Sequence, residues 1–194
     1  MGKVIAVIGS SYSGSGKGTA AASIGLLLKM RGNSVAPLKL DGYLMNSADN
    51  LNPDQHGEPF ITETGEIIDL DGGHYERIIG CTVSSKNILT LGSVYRDVFK
   101  DEDENKYLGQ TIQIVPHITN KILERINLVS LESEITLIEG GGTCGDMESD
   151  CFLEAIRQLK QKNWDDVLIV LLAPVLWINV IKEFKTKLAQ NSVR

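Results

Sequence analysis

Gly9-Ser10-Ser11-Tyr12-Ser13-Gly14-Ser15-Gly16-Lys17-Gly18-Thr19 sets small residues, a lysine and a hydroxyl in one uninterrupted stretch. Small residues let backbone N–H groups close on an anion, and a helix N-terminus completes the cradle. Lys17 adds a mobile positive charge for the outer phosphates of a nucleotide. Against the pattern G-x-x-x-x-G-K-[ST], Ser11 stands where the first glycine belongs. Gly18 stands where a Mg²⁺-binding hydroxyl belongs, with Thr19 one place later. A Gly/Ser turn that merely joins two elements would have the same composition. The order strand, loop, Gly-Lys, helix is what favours a phosphate loop.

Further groups of the same chemical kind stand at the ends of strand-like runs: Lys39 as a second cation, Asp41 beside it, Asp71 and Glu139 as hard oxygen ligands, and Asp146 and Glu148 on a second glycine-rich turn. Each carboxylate alone is as readily a surface or capping group. As a set they suit Mg-nucleotide chemistry, because Mg²⁺ usually takes one or two carboxylates and completes its sphere with phosphate and water. Phosphoryl transfer then rests on positioning and charge neutralisation, with no covalent protein nucleophile.

The elements that must hold these groups follow from periodicity. Residues 4–8 form a continuous apolar run, as a strand buried on both faces requires, and residues 19–30 carry Ala21, Ile24, Leu27 and Leu28 at helical spacing before Gly32. Residues 34–39 read as a second strand, which makes a βαβ unit with the phosphate loop in its first turn. Residues 42–71 lose periodicity and read as a long functional excursion, with short strands near 60–62 and 66–68. Helices are expected over 75–79, 91–100, 119–129 and 152–162, and strands over 111–115, 134–138 and 167–172. The charge run 100–106 reads as a solvated loop, and 173–194 shows no obvious closing element. The expected fold is α/β: a three-layer, P-loop NTPase-like domain with a mainly parallel sheet.

Composition narrows the partners. The chain of 194 residues is 42% hydrophobic and 23% charged, which suits one soluble domain. Its net charge of -6 offers no basic surface to a nucleic acid polymer or an acidic membrane and favours a small nucleotide. Cys81, Cys144 and Cys151 never form C-x-x-C, which points to a reducing compartment. The longest apolar run, 168–181, is too short for a bilayer span, so the expected location is cytoplasmic.

Larger blocks of sequence carry a resemblance. Lys39-Leu40-Asp41-x-Tyr43, Gln55-His56-Gly57-Glu58, Asp69-Leu70-Asp71-x-Gly73-His74-Tyr75-Glu76-Arg77, Tyr107-Leu108-Gly109-x-Thr111-x-Gln113-x-x-Pro116-His117-Ile118-Thr119-Asn120 and Gly141-Gly142-Thr143-x-Gly145-Asp146-x-Glu148-Ser149 strongly resemble the N-terminal amidoligase domain of the CTP synthase family. Phe152-Leu153-Glu154-Ala155-Ile156-Arg157-Gln158 and Lys185-Thr186-Lys187-x-x-Gln190-x-Ser192-Val193 extend the match through the chain. In that family ATP phosphorylates the 4-oxygen of UTP, and ammonia displaces the phosphate to give CTP.

The resemblance implies roles by position. Lys17 and Lys39 would be catalytic, contacting ATP phosphates and the transferring group, with Ser15, Gly16, Gly18, Thr19 and Asp71 completing the ATP site. Asp71 and Glu139 would hold Mg²⁺. Ser13, Asp146, Met147, Glu148, Lys185, Lys187 and Gln190 would line the site for UTP and product CTP. His56 is the candidate for guiding ammonia or the pyrimidine ring. The family also implies a homo-tetramer, and nitrogen delivered as free ammonia or by a separate glutaminase.

Several positions depart from the family pattern. Gly42 replaces a usual proline, the 45–52 stretch is altered, Leu188-Ala189 replaces Pro-Thr, Asn191 replaces His, and 101–104 is acidic where the loop is commonly basic. The family's glutaminase domain, and the rest of its amidoligase domain, would lie beyond Arg194. Two other readings therefore stand beside the ligase: a non-catalytic relative that binds nucleotide or the family's oligomer surface, and a ligase like dethiobiotin synthetase, which shares the fold and the phosphoryl-activation logic.

Overall fold

The computed structural model describes residues 2–12, 14–47 and 51–193. In chain order, β1 (Lys3–Gly9) leads through the glycine-rich loop into α1 (Lys17–Met30) and β2 (Val35–Asp41). The excursion holds α2 (Pro53–His56), an antiparallel hairpin of β3 (Phe60–Ile61) and β4 (Ile67–Ile68), and α3 (Leu70–His74), which continues as a π-helical turn over Tyr75–Ile79. A 3₁₀ turn at Ser85–Asn87 precedes β5 (Ile88–Thr90) and α4 (Leu91–Asp103). A π-helical turn at Ile114–Ile118 opens into α5 (Thr119–Ser130) and β6 (Ile135–Gly140). Then come α6 (Met147–Lys162), β7 (Val167–Leu172), a hairpin of β8 (Leu176–Ile178) and β9 (Glu183–Lys185), and α7 (Lys187–Ser192).

The main sheet has five strands in the order β5-β2-β6-β1-β7, all pairing in parallel. Alternation along each strand divides its side chains between two cores. Val4, Ala6, Leu38, Leu40, Leu89 and Ile138 join the α4, α5 and α6 side with Val94, Ile122 and Phe152. Val7 and Leu137 join the α1 side with Ala21, Tyr75 and Ile79. Helices on both faces explain why residues 4–8 of β1 are apolar without interruption and why β6 is buried along its whole length, and the result is the expected three-layer α/β fold.

Chain direction then places a site. After β1 the chain crosses on the α1 face, and after the adjacent β6 it crosses on the α6 face. Neighbouring connections leaving to opposite faces open a crevice at the strands' carboxyl ends.

The helix beside that crevice, α1, lies close on the sheet. Its buried positions are Gly18, Ala21, Ala22 and Gly25. A Cβ at Gly25 would come within 2.6 Å of Ile79 Cδ1 and 3.0 Å of Leu137 Cδ2. This corrects the expected inner face in part: Ala21 is buried and Ile24 packs on the core as expected, but Leu27 is 56% exposed and the closest approach is made at Gly18, Ala22 and Gly25.

Other expectations change as well. Residues 111–115 form no strand; Ile114 and Val115 are exposed, and the sheet position belongs to β5, whose Leu89 and Thr90 are buried beside β2. The charge run is not all loop. Its first part lies in α4, and Asp101 is held there by Lys106 and by Lys121, each at 2.6 Å. The stretch 173–193 closes into the β8–β9 hairpin, where Trp177 stacks edge-on against Phe184, followed by α7. Finally, α6 begins at Met147, so Met147 and Glu148 sit in its first turn and Asp146 at its cap.

Candidate nucleotide site

The crevice holds a cavity of about 310 Å³. The phosphate loop supplies one wall with Gly14, Ser15, Gly16, Lys17, Gly18 and Thr19. The strand ends and excursion supply the other with Lys39, Asp41, Tyr43, Asp71, His74, Glu139, Gly141 and Gly142. Gly14 and Gly16 adopt φ of 71° and 82°, the left-handed backbone that aims successive N–H groups inward and that glycine takes without strain. Lys17 folds back over Gly9, where a Cβ would come 2.8 Å from Lys17 Cδ.

The centre of the site is a buried charge cluster. Lys39, only 5% exposed, donates from Nζ to Glu139 Oε1 at 2.9 Å and to Asp71 Oδ2. Tyr75, fully buried in the π-helical turn, donates its hydroxyl to Glu139 Oε2, so each oxygen of that carboxylate has one donor. Asp71 sits in the first turn of α3, whose cap is Asp69: Asp69 Oδ1 accepts the Asp71 backbone N–H at 2.8 Å. His74, one turn on, brings Nδ1 to 3.2 Å from Asp71 Oδ1. The excursion therefore exists, in structural terms, to swing one capped helical turn over the strand ends.

Burial and charge pull against each other here. Burial alone would lower Lys39, but Glu139, Asp41, Tyr75 and Asp71 outweigh it and hold its pKa well above the usual lysine value. Burial and the nearby Lys39 both lower Lys17. Asp71 feels burial in the raising direction, yet Lys39 and His74 leave its carboxyl below the ordinary value. Burial pushes Asp41 up from 3.8 to about 7 against the pull of Lys39.

For Asp41 the folded value lies above the unfolded one. The associated stability is therefore fully present below the unfolded pKa of 3.8 and is lost as pH rises through about 7. Asp41→Asn should remove this loss. Relative to the parent, the variant gains on the order of 2 kcal/mol between pH 4 and 8, about half of the isolated shift, because Lys39 loses a partner in the same step. Urea denaturation at both pH values measures it, and parallel pH curves for parent and variant would refute it.

The sequence-derived residues divide in two. Ser15, Gly16, Lys17, Gly18, Thr19, Lys39, Asp71 and Glu139 meet around the one cavity. Asp146, Met147 and Glu148, at the start of α6, and Lys185, Lys187 and Gln190, in β9 and α7, are exposed and lie outside its lining. Ser13 and residues 48–50 fall outside the described residues. The α7 end nonetheless reaches the loop: the Ser11 backbone N–H donates to Ser192 Oγ at 3.0 Å.

Gly42 is where α6 approaches, since a Cβ there would meet Glu148 Cβ at 2.8 Å. Tyr43, Tyr75 and His74 stand in the blocks that carry the resemblance, but only the structure gives them a place in the site. Tyr43 shares a hydrogen bond with His56 Nδ1 at 3.1 Å, so the aromatic and histidine of two separate blocks form one pair beside the cavity. Cys81, Cys144 and Cys151 are all free thiols.

A parallel sheet, a glycine-rich loop between its β1 and the following helix, and a lysine closing that loop define a P-loop-type α/β domain. The family model described as CTP synthase N-terminus matches residues 3–194, and the chain belongs to that family. Curated relatives, each called CTP synthase, agree. The protein of Saccharolobus solfataricus is 49% identical over 99% of this chain and 36% of its own length. That of Sulfurisphaera tokodaii is 48% identical over 100% and 37%, and that of Thermotoga maritima 45% identical over 100% and 37%. The chain thus spans about a third of these relatives.

Among solved structures, the septum site-determining protein MinD complexed with Mg-ADP from Pyrococcus horikoshii OT3 aligns at 12% identity and a TM-score of 0.35. That alignment covers 87% of this chain and 68% of that one, too loose an overlap to add to the topology itself. Among the described residues no helix is long and apolar enough to cross a membrane.

Proposed function

We propose that this chain carries the nucleotide site for ATP-dependent amination of UTP to CTP, through a UTP phosphorylated on its 4-oxygen, with ammonia, free or from a separate glutaminase, as the nitrogen source. The carrying observation is the meeting of Lys17, Lys39, Asp71 and Glu139 around one cavity at the mouth of the phosphate loop. The loop N–H groups and Lys17 would bind the ATP phosphates, and Lys39 would neutralise charge on the group in transfer. Asp71 and Glu139 would hold Mg²⁺, which supplies charge neutralisation of the β- and γ-phosphates when bound.

The donor set fits that ion. Asp71 from α3 and Glu139 from the end of β6 both line the cavity, with Asp41 beside them, while no set of three or more His, Cys, Asp or Glu converges as a cage among the described residues. Such an open set needs phosphate oxygens to complete it, as Mg²⁺ sites on nucleotides do.

Lys17→Ala is expected to weaken ATP binding tenfold to about thirtyfold, the loss of one charge-assisted contact. Titration calorimetry with ATP, UTP and CTP in Mg²⁺ measures this, and no heat with any of the three would refute the site. A second reading, nucleotide binding without turnover, is favoured by the exposed placement of Asp146, Met147, Glu148, Lys185, Lys187 and Gln190 outside the cavity. CTP formation from UTP, ATP and ammonium salt separates the two.

A further inference from the structure

Asp41 is the acidic group of the cavity wall whose partner is missing from the account above. It is 4% exposed, and its Oδ2 has no hydrogen-bond partner among the described residues. Its neighbours are already committed. Asp71 and Glu139 take Lys39, with His74 and Tyr75 beside them, and Asp69 caps α3. The close approach around Asp41 is built in: a Cβ at Gly141 would fall 2.2 Å from Asp41 Oδ1 and 2.7 Å from the Leu40 carbonyl oxygen.

A buried acceptor without a donor is costly, so the group either carries a proton or faces a ligand that donates one. Phosphate cannot be that ligand, because its oxygens are themselves anionic acceptors. The ring N–H of a nucleotide base is a donor that such a ligand can bring.

We propose that Asp41 is a catalytic residue that accepts the N3–H of a uracil base and removes that proton as O4 is phosphorylated. The inference rests on the amination reading. A uracil cannot be phosphorylated on O4 and remain neutral in the ring while N3 keeps its hydrogen. As the N3–H bond breaks, its electron pair forms the N3=C4 double bond. The C4=O4 π pair moves to O4 and forms the new O4–P bond. The γ-phosphorus releases the β–γ bridging oxygen, whose electrons leave with ADP, and the proton ends on Asp41.

The placement suits this step. Lys39 and Asp41 are two residues apart on β2 and so point to the same side of the sheet, and both line the cavity. A ring with O4 at Lys39 and its N3 edge toward the end of β2 would bring the adjacent N3–H to Asp41. A pKa near 7, caused chiefly by burial, leaves the carboxylate able both to take a proton and to return it.

The test is titration calorimetry at pH 8 in Mg²⁺ with UTP, 3-methyl-UTP and a non-hydrolysable ATP analogue. The parent chain is expected to bind UTP at least tenfold more tightly than 3-methyl-UTP. Asp41→Ala should weaken UTP about tenfold, the worth of a hydrogen bond to a charged group, and erase that preference. The ATP analogue should bind Asp41→Ala as tightly or more tightly, since a negative neighbour of the phosphates is gone.

Equal binding of UTP and 3-methyl-UTP by the parent overturns the inference without recourse to any variant. So does a preference that survives in Asp41→Ala. A parent that binds the ATP analogue but not UTP overturns the amination reading itself, and one that binds neither overturns the phosphate site.

Discussion

Lys39→Met is expected to lower the unfolding free energy by about 3–5 kcal/mol at pH 8, the cost of removing one partner from a buried ion pair and leaving the others uncompensated. Lys39 serves two carboxylates at once, and Glu139 beneath it is 1% exposed. A methionine fills the volume but donates nothing, so the desolvated charges of Glu139, Asp71 and Asp41 face one another. The loss should shrink at pH 5.

In the parent, Asp71 lies below its ordinary value, so it contributes stability above the unfolded pKa that is lost as pH falls through the folded one. Without Lys39 its burial acts unopposed, its pKa rises, and acid now relieves the variant instead of weakening it. Urea melts at the two pH values separate this from a packing defect, which would cost the same at both. A loss under about 1 kcal/mol at pH 8 would mean that the cluster is effectively solvated.

Gly18→Ser restores the hydroxyl that G-x-x-x-x-G-K-[ST] calls for. It is nonetheless expected to weaken Mg-ATP binding about a hundredfold, or some 2.7 kcal/mol. A Cβ at position 18 would fall 2.6 Å from Asp71 Oδ1 and 3.3 Å from His74 Nδ1. Asp71 would have to turn away, giving up Lys39 and its place at the cavity wall. The departure from the pattern is thus a steric consequence of seating a carboxylate from another segment against the start of α1. Calorimetry with Mg-ATP decides it, and parent-like affinity in Gly18→Ser would show that Asp71 has room to move.

Much of this arrangement was open to reading from residue types alone. β1 and most of β6 are apolar because both faces of the sheet are covered there, β7 is apolar although Leu168 and Ile169 on this edge strand are exposed, and Lys39, Asp71 and Glu139 stand out as charged groups placed at or beside the ends of such runs. What escaped notice was what local pattern does not encode. β5 is three residues long, Ile88–Thr90, too short to show a period, whereas the alternating stretch 111–115 reads as a strand although Ile114 and Val115 face outward.

Leu27, more hydrophobic than Gly25, reads as part of the inner face of α1, whereas the sheet selects for closeness of approach over side-chain size. Tyr75 falls in an expected short helix and in a family block, and nothing in its neighbourhood shows that its hydroxyl meets Glu139, distant in sequence. Asp41 was visible beside Lys39, but its significance lies in the partner it lacks, which a sequence cannot display.

The small-residue face of α1 has a mechanical consequence. Gly18 and Gly25 lie on the same side of the helix two turns apart, about 10 Å along its axis. The first touches Asp71 and the second rests on Ile79 and Leu137. The helix is therefore a stiff lever whose fulcrum is at Gly25 and whose working end is the phosphate loop. A methyl group added at the fulcrum would press on Ile79 and Leu137, and Gly25→Ala is expected to tilt the lever and lift the loop away from the carboxylates opposite. Tolerance to substitution along this helix should accordingly follow distance from the sheet, and distance from the ligand will be a poor guide to it.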